Sequence, residues 1–365
     1  MLKKSILTFF LVFLLAACSS EDSSETTSYV GPGSEYSITF DDGSATFDLT
    51  ESDSGLNVTG TYTTLSTGFR KLTVGAVTGS LGPSVGDEAY GVDIPGVVFL
   101  LKPLEDDSEI IAMVSKGTCP TDDFDMNWIV TSIESDANLT NSCETGGTGL
   151  DALGTVSFNS STNVGILPEK FDICNQNVGS FDLGTISCAS GIGVPSSDES
   201  ARMYLTNNGG AIVRIDDGDT TDGEQIIVAL PNDTISSLAA LDGNYIGLVM
   251  SEVDNSGSSV TQVFNGKATI ESGVMDFDEI DPETGAVITT NSVNGTLTIP
   301  EGNINTPNDG FVSGTYDLDT GGVTNKKTSC MFNENIYDSG KNFIFCVGQD
   351  PTDDNRHFNA LFISK

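Results

Sequence analysis

Tyr36-Ser37-Ile38-Thr39-Phe40-Asp41-Asp42-Gly43-Ser44-Ala45-Thr46-Phe47-Asp48-Leu49 decides the fold class. Tyr36, Ile38 and Phe40 alternate with polar residues, which puts them on one face of an extended chain. Asp41-Asp42-Gly43 then turns the chain, because Asp side chains bond nearby backbone N–H groups and Gly accepts positive φ. Alternation resumes over Ala45–Leu49. Two alternating runs joined by a turn signal read as a β-hairpin.

The pattern recurs along the chain. Strand-like runs are Val58–Thr63, Lys71–Val77, Val97–Leu101, Ile110–Val114, Trp128–Ile133, Thr155–Phe158 and Met203–Thr206. They continue with Ile226–Leu230, Tyr245–Met250, Lys267–Ile270, Val287–Thr290, Thr296–Ile299, Phe343–Val347 and Phe358–Ile363. Turn signals include Asn207-Asn208-Gly209-Gly210, Asp281-Pro282-Glu283-Thr284-Gly285 and Asn294-Gly295. Helical periodicity is confined to Asp233–Leu241, with a short helical turn over Thr234–Leu238 ahead of Gly243. The chain therefore reads as all-β, built from two tandem antiparallel barrels or sandwiches of meander topology. Closure into barrels is preferred, since few lysines are available to guard open edges.

Shared landmarks suggest one internal duplication. Ser37–Gly43 is echoed by Ile212–Gly218, Gly60-Thr61-Tyr62 by Gly243-Asn244-Tyr245, and Gly154–Phe158 by Gly295–Ile299. Cys174 and Cys188 precede Pro195, Asp198-Glu199 and Arg202. Cys330 and Cys346 precede Pro351, Asp353-Asp354 and Arg356 in the same order. The expected division is a first β domain over residues 36–209 and a second over 210–365.

The amino terminus has a different character. Lys3-Lys4, an apolar run from Ile6 to Leu15 and the stretch Leu15-Ala16-Ala17-Cys18 resemble a bacterial lipoprotein signal peptide with its lipobox. The run is too short to span a bilayer, which takes ~20 apolar residues. The resemblance implies removal of residues 1–17, lipidation of Cys18 and a polar tether over 18–35. Ser19 in place of Asp implies sorting to the outer membrane, and Ser20-Glu21-Asp22 resembles a short acidic surface-export signal. The body itself resembles two groups of barrels. A helical turn followed by Gly243-Asn244-Tyr245 is similar to the opening of lipocalin-like barrels, with Tyr for their Trp. Asn294-Gly295-Thr296-Leu297-Thr298 is similar to segments of barrel-bearing surface lipoproteins of the transferrin-binding type.

Charge narrows the partners. The 365 residues carry 52 acidic and 15 basic side chains, a net charge of −37, which becomes −39 once Lys3 and Lys4 leave with the signal. That sign excludes nucleic acid, whose phosphates need a basic stripe, and a polybasic membrane contact. It favours cationic surfaces or metal ions. Asp216, Asp217, Asp219, Asp222 and Glu224 form a candidate calcium loop. Asp276, Asp278, Glu279, Asp281 and Glu283 form a second acidic cluster.

Beyond Cys18, six cysteines remain: Cys119, Cys143, Cys174, Cys188, Cys330 and Cys346. An even number in an oxidising compartment reads as disulfides. Proximity in sequence favours Cys119–Cys143, Cys174–Cys188 and Cys330–Cys346, among fifteen possible connectivities.

Catalytic signals are thin. Gly82-Pro83-Ser84-Val85-Gly86 fits the nucleophile-elbow pattern, but no helix follows it, and the elbow needs a strand-to-helix turn. His357 is the sole histidine, and Trp128 reads as core. The expectation is a non-enzymatic, lipid-anchored outer-membrane or surface protein that binds a protein or glycan, without a cofactor unless calcium is one. The alternative is a lipocalin-like carrier of a small apolar ligand.

Overall fold

The computed structural model describes residues 26–31, 36–52, 54–79, 82–94, 98–102, 110–115, 117–132, 152–162, 164–172, 177–197, 202–205, 210–215, 225–231, 235, 237–255, 258–288, 293–298, 310–318, 323–334, 340–349 and 357–365. Strand pairing is antiparallel throughout and runs between consecutive strands, so the expected all-β meander of tandem closed barrels is what forms. The pairing closes on itself three times, so three barrels form where two units were expected.

The first barrel comprises β1 (Thr26–Val30), β2 (Tyr36–Asp41), β3 (Thr46–Glu51), β4 (Leu56–Thr64), β5 (Arg70–Thr78), β6 (Glu88–Ile94), β7 (Val98–Lys102) and β8 (Ile111–Ser115). It closes where Tyr29 and Val30 pair with Ser115 and Val114. The middle barrel comprises β9 (Phe124–Ser132), β10 (Ala152–Asn159), β11 (Val164–Asp172), β12 (Asn177–Ala189), β13 (Ile192–Pro195), β14 (Arg202–Leu205), β15 (Ala211–Ile215) and β16 (Gln225–Pro231). It closes by pairing β16 with β9. The third comprises β17 (Gly243–Asn255), β18 (Ser258–Glu271), β19 (Val274–Glu279), β20 (Val293–Thr298), β21 (Phe311–Leu318), β22 (Val323–Asn333), β23 (Phe343–Gln349) and β24 (His357–Ser364), closed by β17 against β24.

Period-two alternation fills the interiors. In the first barrel, Tyr29, Ile38, Phe40, Phe47, Val58, Tyr62, Leu72, Phe99 and Met113 form one buried cluster. Phe40 meets Phe99 and Tyr62 edge-to-face at 4.9 and 5.0 Å between centroids, a favoured aromatic arrangement. In the third, Tyr245, Ile270, Val312, Phe332, Ile344 and Phe362 pack together. A 3₁₀ helix, Leu238–Leu241, corks that barrel. Leu241 and Ile235 are fully buried in the cluster, and the Tyr245 hydroxyl donates to the Leu241 carbonyl at 2.6 Å.

Some strands are apolar on both faces. On β7, Phe99 and Leu101 point into the first barrel while Val98 and Leu100 point out. On β23, Ile344 and Cys346 point in while Phe343, Phe345 and Val347 point out. Those outward residues, with Ile246 and Leu248 of β17, Leu361 and Ile363 of β24, and Ile129, Leu153, Tyr204 and Leu230 of the middle barrel, make a single buried cluster shared by all three units. β6 and β7 lie against β17 and β18, β9 against β22 and β23, and β8 against β15. Near-continuous apolar runs mark strands buried on both faces.

Four further expectations are corrected. The boundary at residues 209 and 210 falls between β14 and β15, which pair directly through Met203↔Val213 and Leu205↔Ala211. The expected tether contains β1, whose Tyr29 is fully buried, so before the first strand only seven residues follow Cys18. The repeated landmarks do not occupy equivalent places. Ser37–Gly43 lies on the second strand of its barrel and Ile212–Ile215 on the seventh; Gly60-Thr61-Tyr62 lies on the fourth and Gly243-Asn244-Tyr245 on the first. Finally, Cys119 pairs with Cys188 across 69 positions rather than with Cys143. The chain leaving the first barrel passes over the end of β12 before it starts β9, so tertiary placement overrides sequence proximity. Cys330–Cys346 forms as expected, between directly paired residues of β22 and β23. Cys143 and Cys174 lie outside the described residues.

Candidate functional site

Basic side chains are scarce, so where they go is informative. Arg70 and Lys71 are adjacent on β5, and strand geometry sends them to opposite faces. Arg70 turns into the first barrel. Its Nη2 meets Asp93 Oδ2 at 2.6 Å, with the two side chains 12% and 6% exposed. The guanidinium lies over the rings of Phe40 and Tyr62, 4.5 and 5.0 Å from their centroids. Tyr29 donates its hydroxyl to Asp93 Oδ1 at 2.5 Å, and Tyr62 donates to Asp42. Burial pushes the Asp93 carboxyl above its ordinary range, outweighing the opposing pull of Arg70 and Tyr29. Burial, reinforced by Asp42, raises the Tyr62 phenol to about 12. This network occupies the barrel interior.

Lys71 turns outward and fastens the first barrel to the third. Its Nζ lies 2.5 Å from Glu283 Oε1 and 2.8 Å from Glu88 Oε2. Tyr90 donates to the same Glu283 oxygen at 2.8 Å, and Thr67 donates to the Pro282 carbonyl at 2.5 Å. The turn that presents Glu283 is organised by Asp281, whose Oδ1 accepts the N–H groups of Glu283 and Thr284. Those backbone bonds hold the Asp281 carboxyl low, and Lys71 with Tyr90 holds Glu283 low. Lys71 is raised in turn, by Glu283 first and then Glu88.

The second acidic cluster is thereby dispersed. Asp278 pairs with Lys267 at 3.0 Å, Asp281 shapes a turn and Glu283 serves the clasp. Among the described residues, no three His, Cys, Asp or Glu side chains come together as metal ligands. Asp216, Asp217, Asp219, Asp222 and Glu224, expected as a calcium loop, lie in the β15–β16 connection, outside the described residues. Ser84 sits in a tight turn where its N–H donates to Asp87 Oδ2, and no helix follows. His357 begins β24 opposite Gln349, in a different barrel from Ser84. Cys18 lies outside the described residues.

The middle barrel is crossed at one mouth by the incoming chain, residues 117–123. Gly117 N–H donates to the Leu205 carbonyl at 2.7 Å. Gly191, with φ of +80°, comes so close that a Cβ there would collide with the Gly117 carbonyl. Cys119 is bonded to Cys188, whose side chain packs on the interior cluster of Met126, Trp128, Val156, Leu205 and Ala229. Asp123 Oδ1 then accepts the N–H and hydroxyl of Ser160 at 2.8 and 2.9 Å, tying the strap to the β10–β11 turn.

Sequence reading missed both charge networks. The signal was there in the scarcity of cations: two adjacent basic residues on an alternating strand had to face opposite ways, and one of them therefore had to be buried.

No protein-family model matches the chain, and no characterised protein matches it in sequence. Solved structures with a distant likeness include these three. A variant of transferrin-binding protein B from Haemophilus parasuis is 11% identical with a TM-score of 0.30, over 90% of this chain and 65% of that one. Transferrin-binding protein B from Neisseria meningitidis is 11% identical with a TM-score of 0.28, again over 90% and 65%. A protein of unknown function from Nostoc punctiforme is 9% identical with a TM-score of 0.24, over 67% of this chain and 95% of that one. The chain thus spans about two thirds of the transferrin-binding proteins it aligns with. Scores at this level carry no argument, and the fold stands on its own strand pairing.

Two outcomes are expected. Asp93→Asn strands the Arg70 charge in the barrel and costs about 3–5 kcal/mol in urea denaturation, whereas Arg70→Met/Asp93→Leu recovers most of that loss. The low folded-state pKa of Glu283 means its contribution is complete above the ordinary carboxylate range and disappears as pH falls through the folded value. Glu283→Gln should therefore remove part of the acid-side fall in melting temperature; an unchanged pH profile would show that the clasp contributes nothing.

Proposed function

We propose that this is a lipid-anchored protein of the bacterial outer membrane, facing the cell surface or the periplasm, that acts by binding and not by catalysis. The lipobox around Cys18 supports the anchor. The observation that carries the binding reading is that the first and third barrels each hold a buried cluster of aromatic and aliphatic side chains and share an apolar core with the middle one. Barrels locked together through that core serve as a rigid scaffold, and contacts then belong to the loops and projecting ribbons. One such ribbon is present. Residues 252–255 of β17 and 258–261 of β18 pair with each other but not with β24 or β19. The strongly acidic chain favours a partner protein or glycan that presents positive charge, or a bound cation. Carriage of a small apolar ligand is the second reading.

The anchor sets how near the scaffold stands to the bilayer. Seven residues between Cys18 and β1 reach at most ~25 Å when fully extended. Expression of Cys18→Ser in the native host should move the protein from the membrane to the soluble fraction and abolish incorporation of labelled palmitate. A membrane-bound, unlabelled protein would overturn the anchor.

A further inference from the structure

The two described disulfides sit in opposite surroundings. Cys330–Cys346 lies inside the third barrel, its cysteines 0% and 2% exposed within the apolar cluster around Tyr245 and Phe332. Cys119–Cys188 lies at the mouth of the middle barrel, and both of its cysteines are only half-buried. Thr118 and Thr121 on one chain and Ser187 and Ala189 on the other are exposed, so solvent reaches the bond from both sides. A thiol must approach a sulfur to exchange with it, and exposed disulfides are the reducible ones.

The strap leans on this bond. Gly117 N–H donates to the Leu205 carbonyl at one end, and Asp123 accepts from Ser160 at the other. Among the described residues, Thr118 to Asp122 make no hydrogen bond or ion pair to the barrel, and the disulfide alone fastens them. Cys188 in turn packs against the buried cluster that contains Trp128. A segment with so few bonds of its own lies at the low end of local stability.

We propose that Cys119–Cys188 is a redox latch, opened by a dithiol reductant, that releases the strap 117–123 from the mouth of the middle barrel while Cys330–Cys346 stays closed. A reductant thiolate attacks one cysteine sulfur, forms a mixed disulfide and expels the other cysteine as thiolate. The second thiol of the reductant then attacks the reductant's own sulfur in the mixed disulfide, closes a disulfide within the reductant and expels the remaining cysteine. Two electrons pass from the dithiol to the pair, and its two protons end on Cys119 and Cys188. Exchange with an oxidised dithiol runs the same steps backwards and closes the latch. This inference goes beyond the binding reading and is independent of the lipid anchor.

The test exposes the folded mature protein to dithiothreitol without denaturant, traps thiols with iodoacetamide and reads each cysteine in its own peptide. Cys119 and Cys188 should be alkylated at least about tenfold faster than Cys330 and Cys346. In the reduced protein, acrylamide should quench Trp128 emission more strongly, and Gly117 and Ser160 should lose amide protection against hydrogen exchange; both changes should reverse on reoxidation. Cys119→Ser/Cys188→Ser should show the open state without reductant. Equal rates for the two pairs, or reduction only where the protein unfolds in urea, overturn the latch. So does selective reduction that leaves Trp128 quenching and Gly117 protection unchanged, because the strap then stays in place without the bond.

Discussion

The structure depends on one apolar contact surface shared by three closed sheets. A barrel normally hides one face of each strand and gives the other to water. Here the outward faces of β7, β8, β17, β23 and β24 carry Val98, Leu100, Val114, Leu248, Phe345 and Leu361 and must be covered as well. Three units meeting at that surface satisfy the requirement together. The charged clasp of Lys71, Glu88, Tyr90 and Glu283 sits beside it and gives direction to the docking of the first barrel on the third. Exposed ion pairs contribute little on their own, so the apolar surface carries the energy and the clasp the registry.

Much of this was legible in the residues. Alternation at Tyr36–Phe40, Lys267–Ile270 and Phe358–Ile363 fixes strands because side-chain period and burial coincide there. β1 was hidden because Thr26-Thr27-Ser28-Tyr29-Val30 contributes one large interior side chain and otherwise resembles its polar surroundings. Val287–Thr290 reads as a strand, yet Val287 forms only an isolated bridge to Ile280 and is exposed. Unit boundaries were the hardest feature. A meander of similar hairpins has no composition change where one barrel closes and the next begins, and closure depends on which distant strands meet. The Cys119–Cys188 link was out of reach for the same reason.

The candidate sites divide along similar lines. Carboxylate clusters are conspicuous in sequence, but a cluster only becomes a metal site if the fold points its members at one place. The 276–283 cluster is split among a lysine pair, a turn and a clasp. Trp128 carries the opposite lesson. Its type predicts core, which is correct, while the unanswered indole N–H is visible only once its neighbours Gly154 and Ala229 are known.

The central claim is that the three barrels stand or fall together through their common core. Because Trp128 lies in the middle barrel, its emission reports that unit, and Leu100→Ala removes an outward side chain of the first barrel from the shared surface. Urea denaturation of this variant should show the Trp128 transition weakened by about 2–5 kcal/mol, the cost of a buried leucine. A Trp128 transition that stays where it is in the unmodified protein would show that the barrels are independent beads and would contradict the account.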